Sequence, residues 1–290
     1  MTAKIIDGKA IARAVRAGIA ARAEALKAKG VQPALTVIMV GDNPASAVYV
    51  RNKVHACAEA GIKSEVIRFP ADARERDILD RIESLNGMPS VHGILVQLPL
   101  PQAISVRRVL ETISAAKDVD GFHLYNVGGL VIGQTVFPPC TPYGVQKIFE
   151  HEGIEIEGKN VTVVGASNIV GKPMALMLMQ REATVAICHA KTRDLAQYTI
   201  LADIVVVAAG SPNLIVPQMI RTGAAVIDVG INFLPGGKLV GDVDFEGVKQ
   251  KAGWITPVPG GVGPMTVTML LENTVAAAER AVDRKSTRLN

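Results

Sequence analysis

Cysteine is scarce in this chain: Cys57, Cys140 and Cys188 are the three present among 290 residues. An odd, widely spaced set builds no disulfide framework, and the five histidines add no metal-ligand spacing. Aromatic residues make up only 4%, so the core has to be aliphatic. Charge of one sign is never concentrated. The net charge of +4 is spread along the chain, which argues against nucleic acid as a partner and leaves small anions in play. Apolar runs of membrane-spanning length are missing. The opening Met-Thr-Ala-Lys-Ile-Ile-Asp has no apolar signal core. Walker A and G-x-S-x-G motifs are absent as well. The expectation is a cytoplasmic protein of a reducing compartment, with no metal and no membrane association.

What is present is 49% hydrophobic residue in alternating helix and strand patterns. Ile11, Val15, Ile19, Ala23 and Leu26 keep helical spacing up to Gly30. Buried-type strands are read at 34–40, 65–69, 93–97, 161–164, 184–188, 204–208, 225–229 and 254–256. Helices are expected at 46–61 (with Ser46 as its cap), 74–85, 106–114, 171–180 and 266–280 (with Thr266 as its cap). Repeated strand–helix alternation predicts α/β architecture with parallel sheets. Residues 116–141 hold several Gly and Pro without periodicity and read as a crossing segment between domains. The last six residues, from Lys285, read as a frayed tail.

Candidate chemistry gathers at a few points. Val161-Thr-Val-Val-Gly165-Ala-Ser167-Asn-Ile-Val-Gly171-Lys-Pro173 joins a strand to a helix, as a dinucleotide loop does. Ser167 stands where the middle Gly of the usual fingerprint would be, and an ordinary turn remains the alternative. The next strand runs into Cys188-His-Ala-Lys191-Thr-Arg193 without a carboxylate, a basic ending that suits a 2′-phosphate or is simply solvated. Tyr49 and Lys53, four apart, share one helix face and form a usable acid/base pair. They read equally as a half-exposed flank. Gln97 ends a buried strand, where ligands sit in parallel sheets. Asp118 and Asp120 lie in Lys117-Asp-Val-Asp-Gly121, suited to holding an N–H pair or to turn chemistry. Pro257-Val-Pro-Gly-Gly-Val-Gly-Pro-Met-Thr266 is too rigid and Gly-rich for a generic connector.

The runs Tyr49-Val-Arg-Asn-Lys53, Val91-His-Gly-Ile-Leu-Val-Gln97-Leu-Pro99, Lys117-Asp-Val-Asp120-Gly-Phe122, Pro139-Cys-Thr-Pro142, Gly165 to Gly171 and Pro259-Gly-Gly-Val-Gly-Pro-Met-Thr266 occur in this order. Together they resemble the bacterial bifunctional methylenetetrahydrofolate dehydrogenase/methenyltetrahydrofolate cyclohydrolase family. The resemblance spans about residues 5–280. It implies two α/β domains: a folate-binding domain of 1–140 plus 266–290, and a Rossmann-like NADP domain of 141–265 through which the family dimerises. Its C-terminal helix packs back on the first domain, and a cleft lies between the two. Tetrahydrofolate derivatives are the implied substrates, NADP the cofactor and a homodimer the assembly. By matching motifs, Lys53 is the catalytic lysine, Tyr49 stacks on or orients folate, Gln97 tunes Lys53 and Asp120 holds the pterin N–H edge. Ser46, Leu98, Pro99, Pro259, Gly260 and Gly261 line the substrate pocket. The NADP residues are Gly165, Ala166, Ser167, Ile169, Val170, Gly171, His189, Lys191, Arg193 and Ile231. Ala166 and Ala190 stand where some relatives carry phosphate-contacting residues, so NADP preference rests on Lys191 and Arg193. A monofunctional dehydrogenase and a binding module without turnover are the rival readings.

Overall fold

The computed structural model describes residues 2–289; the side chains of Ala45 and of 284–289 lie outside that description. The elements in chain order are β1 (Lys4–Ile5), α1 (Gly8–Ala28), β2 (Ala34–Val40), α2 (Pro44–Glu59), β3 (Lys63–Phe69), α3 (Glu75–Asn86), β4 (Gly93–Val96), α4 (Val106–Thr112), α5 (Leu124–Val131), α6 (Cys140–Glu152), β5 (Asn160–Val164), α7 (Gly171–Met179), β6 (Thr184–Cys188), α8 (Ala196–Thr199), β7 (Ile204–Val207), β8 (Ala225–Asp228), β9 (Asn232–Phe233), β10 (Leu239–Val240), α9 (Phe245–Val248), β11 (Trp254–Ile255) and α10 (Val262–Leu289). None of the described helices is long and apolar enough to cross a membrane.

The chain divides into two compact units. One comprises Ala14–Cys140 with Val267–Asn290. Its three-stranded parallel sheet has the order β3-β2-β4, and all seven residues of the central β2 are buried. A strand covered on both faces must be apolar throughout, which is why Ala-Leu-Thr-Val-Ile-Met-Val shows no alternation. Helix α3 buries Ile78, Leu79, Ile82 and Leu85, which join Ile38, Val40, Ile94 and Val96 in one core. Each such side chain contributes about 1.5–3 kcal/mol on leaving water. From α10, Asn273 Nδ2 donates to the carbonyls of Val119 (2.8 Å) and Pro138 (3.0 Å). Arg22 of α1 clasps Glu279 in bidentate fashion (3.0 and 2.7 Å).

The other unit comprises Met1–Arg13 with Thr141–Thr266. Its six-stranded sheet runs β1-β11-β8-β7-β5-β6, with parallel pairing throughout. Val164, Val205, Val207, Val226, Ile255 and Ala3 share its core. The expected folate-binding domain starts at residue 1, whereas residues 1–13 cluster here with the six-stranded sheet. Strand β1 pairs with β11, Lys4 opposite Trp254 and Ile5 opposite Ile255, so the first residues extend the six-stranded sheet instead.

Three further expectations need correction. Residues 116–141 are not a plain crossing segment, because they contain α5, whose cap His123 accepts from the Tyr125 N–H through its ring (3.1 Å). Helix α10 opens at Val262, four residues before the expected Thr266 cap. Thr266 lies inside it, its hydroxyl 3.0 Å from that of Thr141. The same helix continues to Leu289, so the tail from Lys285 is helical along its backbone up to that residue; Asn290 is outside the described residues.

Candidate active site

Helix α2 is capped by Asn43, not by Ser46. The Asn43 carboxamide accepts from the Ser46 N–H (3.1 Å) and Pro44 occupies the first turn, where a missing N–H costs nothing. Ser46 is therefore a buried first-turn residue, 5% exposed. One turn apart, Tyr49 and Lys53 are both half-buried, with Val50 and Cys57 fully buried beside them. Burial raises the Tyr49 hydroxyl above its ordinary value. It also pushes the Cys57 thiol up to about 12, against the charges of Lys53 and Arg16, so Cys57 is an inert core residue.

Gln97 follows β4 directly, and its N–H donates to the Ile38 carbonyl (2.8 Å). Its side chain is held at both ends. Oε1 accepts from Lys53 Nζ (3.1 Å) and Nε2 donates to the Leu98 carbonyl (2.7 Å). An ammonium on the oxygen and a carbonyl on the nitrogen permit one amide orientation only. Leu98 is half-buried and Pro99 exposed.

The acidic turn divides its labour. Asp118, 1% exposed, accepts from the His123 N–H (2.7 Å) and from Asn126 Nδ2 (2.7 Å). It fixes the start of α5 and is turn chemistry. Asp120 remains for other work. Burial raises its carboxyl, opposed by the positive charge of Lys53, reinforced by neighbouring Asp118 and opposed again by a hydrogen bond from Cys140. The Cys140 thiol is pushed well above its usual range by burial and by Asp120, and its Sγ lies 3.2 Å from the Val119 carbonyl. Lys53, Gln97, Asp120 and Cys140 are thus brought together from α2, the end of β4, the turn before α5 and the start of α6. Cys140 and Asn273 support this group, and sequence reasoning passed over both. Position 140 in Pro139-Cys-Thr-Pro142 was the one signal for the first, and Asn273 on a helical face gave none.

Pro259, Gly260 and Gly261 belong to the unit of the six-stranded sheet. The bend is rigid: the Gly261 N–H donates to Pro257 (2.8 Å) and Gly260 takes φ +108°, a region that L side chains avoid. A Cβ on Gly8 would run into the Gly261 carbonyl.

The 165–171 loop joins β5 to α7. Gly165 has φ +115°, and a Cβ there would strike the Ala208 carbonyl; one on Gly171 would strike the Gly165 carbonyl. Ser167 Oγ accepts from the N–H groups of Val170 (3.1 Å) and Gly171 (3.3 Å), while its carbonyl accepts from Lys172 (3.0 Å). Ser167 thus takes up the N–H groups of Val170, Gly171 and Lys172 at the start of α7. Ala166 is half-buried, and Ser167 and Ile169 are exposed. Beyond β6, the His189 ring accepts from the Lys191 N–H (3.2 Å), and Thr192 Oγ1 accepts from the His189 N–H (2.9 Å). Lys191 and Arg193 extend into solvent, and among the described residues neither meets a carboxylate. Ile231 is 46% exposed. A glycine cradle, two uncommitted cations and the absence of an acidic residue at the β6 end fit a dinucleotide with a 2′-phosphate.

Comparison with known proteins agrees with this arrangement. Residues 6–120 match the model of the tetrahydrofolate dehydrogenase/cyclohydrolase catalytic domain, and residues 139–282 that of the NAD(P)-binding domain of the same proteins. The chain is 62% identical to the bifunctional protein FolD of Nitrosospira multiformis, over 97% of this chain and 98% of the relative. The crystal structure of the bifunctional methylenetetrahydrofolate dehydrogenase/cyclohydrolase FolD from Campylobacter jejuni superposes with TM-score 0.94 at 52% identity, covering 96% of this chain and 99% of that one. That of the Trypanosoma brucei enzyme, complexed with NADP cofactor and inhibitor, gives TM-score 0.94 at 39% identity, with 97% and 99% covered. A chain matched along nearly its whole length in this way is a member of the tetrahydrofolate dehydrogenase/cyclohydrolase family.

Proposed function

We propose that the chain oxidises 5,10-methylenetetrahydrofolate to the methenyl form with NADP and hydrolyses the methenyl form to 10-formyltetrahydrofolate. The observation that carries the site assignment is the 3.1 Å hydrogen bond from Lys53 to Gln97, with Asp120 in the field of the same ammonium. Bound NADP would supply the hydride acceptor for oxidation of the one-carbon bridge. The backbone of Gly165 and Gly171 together with Ser167, Lys191 and Arg193 would hold the cofactor, with His189 shaping the basic turn and the exposed Ile231 in the same unit. Lys53 moves the proton of the water that attacks the methenyl carbon, and Gln97 keeps the lysine amine in place. Asp120 accepts the N–H edge of the pterin. Tyr49 orients the ring system, and Ser46, Leu98 and Pro99 complete the substrate wall within their own unit; the resemblance also implies substrate roles for Pro259, Gly260 and Gly261.

The test is a two-part assay. With 5,10-methylenetetrahydrofolate and NADP, reduced cofactor and 10-formyl product should both accumulate. With the methenyl compound alone, hydrolysis should proceed without cofactor. Cofactor reduction without that hydrolysis would favour a monofunctional dehydrogenase.

A homodimer through the six-stranded unit is supported by the edge position of β6, a strand with unpaired backbone groups on its outer side. Nearby apolar side chains are exposed, including Ile187 (43%), Met179 (56%) and Leu201 (71%). Three unpaired, buried cysteines suit a reducing cytoplasm. The formyl product suits one-carbon donation in purine biosynthesis.

A further inference from the structure

Two carboxylates outside the catalytic group are buried at the C-terminal end of the six-stranded sheet. Asp228 is 3% exposed and Asp242 fully buried. Asp228 is the last residue of β8, and Asp242 follows the β9–β10 hairpin. Both collect N–H donors. Asp242 Oδ2 accepts from the backbone of Ala209 (2.7 Å) and Gly210 (2.9 Å). Its Oδ1 accepts from the Ser211 N–H (2.8 Å) and from Asn232 Nδ2 (2.8 Å). Asp228 Oδ1 accepts from the N–H groups of Gly230 (2.9 Å) and Asp242 itself (3.0 Å), and Oδ2 from that of Val243 (3.0 Å). A concentration of backbone donors of this kind is one that proteins commonly offer to a bound anion; here the chain fills it with its own charge. Gly230 and Gly241 make the room, since a Cβ on either would run into the carboxylates of Asp242 and Asp228 respectively.

One of the two segments fastened in this way borders the dinucleotide loop, and the other is tied to it through Asp242. Segment 208–211 leaves the end of β7, and Gly165 is packed so closely on it that a Cβ would strike the Ala208 carbonyl. Segment 230–232 carries the exposed Ile231, with Gly230 held to Asp228 and Asn232 held to Asp242. One side chain therefore sets the spacing of both. An amide cannot replace it: whichever way an Asn turned, its NH2 would face two N–H donors.

We propose that Asp242 is a positioning residue for the nicotinamide dinucleotide, holding segments 208–211 and 230–232 in the single arrangement that receives the cofactor. The inference rests on the NADP reading given above. Asp228 contributes by fixing the backbone of Asp242 and Val243 in turn.

The experiment compares wild type, Asp242→Asn and the milder Asn232→Ala by equilibrium titration with NADP, by cofactor-free hydrolysis of 5,10-methenyltetrahydrofolate and by thermal midpoint. The expected result is a dissociation constant for NADP raised about tenfold or more in Asp242→Asn and about threefold in Asn232→Ala, as the loss of hydrogen bonds to a charged group implies. Hydrolysis should stay within twofold of wild type in Asn232→Ala. Where Asp242→Asn does not fold, Asn232→Ala decides alone. Unchanged NADP affinity in the folded variants would overturn the inference, as would hydrolysis falling in step with NADP affinity in Asn232→Ala. Wild type that fails to bind NADP would instead overturn the cofactor reading beneath it.

Discussion

Replacing Lys53 by Met removes the amine and keeps most of the stem. Gln97 should stay where it is, because Nε2 remains bonded to Leu98 (2.7 Å) and the Gln97 N–H to Ile38 (2.8 Å). Asp120 loses the opposing charge that partly offsets its burial, so its carboxyl rises further. The direct loss is that of the group moving the proton of the attacking water. A positioned acid or base is worth about 100- to 10,000-fold, or roughly 2.7–5.4 kcal/mol of barrier. Hydrolysis of the methenyl compound, followed by its absorbance in the absence of NADP, should fall within that range. NADP affinity should not change, since the residues assigned to the cofactor belong to the other compact unit. Hydrolysis within threefold of wild type would refute the reasoning, because an amine that performs the proton transfer cannot be dispensable.

Other perturbations separate the parts. Gly165→Ala should weaken NADP binding at least tenfold while sparing cofactor-free hydrolysis, because the φ of +115° and the Ala208 carbonyl leave no place for a methyl group; equilibrium titration checks this. Lys191→Ala with Arg193→Ala should reduce the preference for NADP over NAD by about 10- to 100-fold, the worth of one or two charge-assisted phosphate contacts, as measured by kcat/KM for each cofactor. Asp228 offers a pH test. Its folded carboxyl lies near 6 against 3.8 unfolded, chiefly through burial, so its favourable contribution is complete below 3.8 and is lost as pH rises through 6. The amplitude is about 3 kcal/mol. The stability of Asp228→Asn relative to wild type should therefore improve between pH 4 and pH 7 in urea titrations, and a difference flat with pH would contradict the assignment.

Strand 34–40 was legible because burial on both faces leaves an unmistakable apolar run; the edge strand 184–188 is exposed or half-buried up to Cys188, and its ends were read from strand–helix alternation. Strand β1 was not legible, since two exposed residues carry no pattern and their place comes from pairing with distant Trp254. Helix α5 was hidden by Gly128 and Gly129. It forms because Asp118 grips its first turn, a tertiary effect that outweighs propensity. At the site, four-residue spacing put Tyr49 and Lys53 on one face, yet spacing could not show that Gln97, 44 residues later, would meet the lysine. It also left Asp118 and Asp120 alike; burial and partners tell them apart. Nor could the sequence show that the Ser167 hydroxyl accepts from the N–H groups of Val170 and Gly171.

The most direct test is a crystal structure of this chain with NADP and a folate analogue. The account predicts a pterin N–H within hydrogen-bond distance of Asp120, about 3 Å, with Lys53 Nζ beside the bridge between the two folate nitrogens. A pterin seated elsewhere, with Lys53 turned to bulk water, would contradict it.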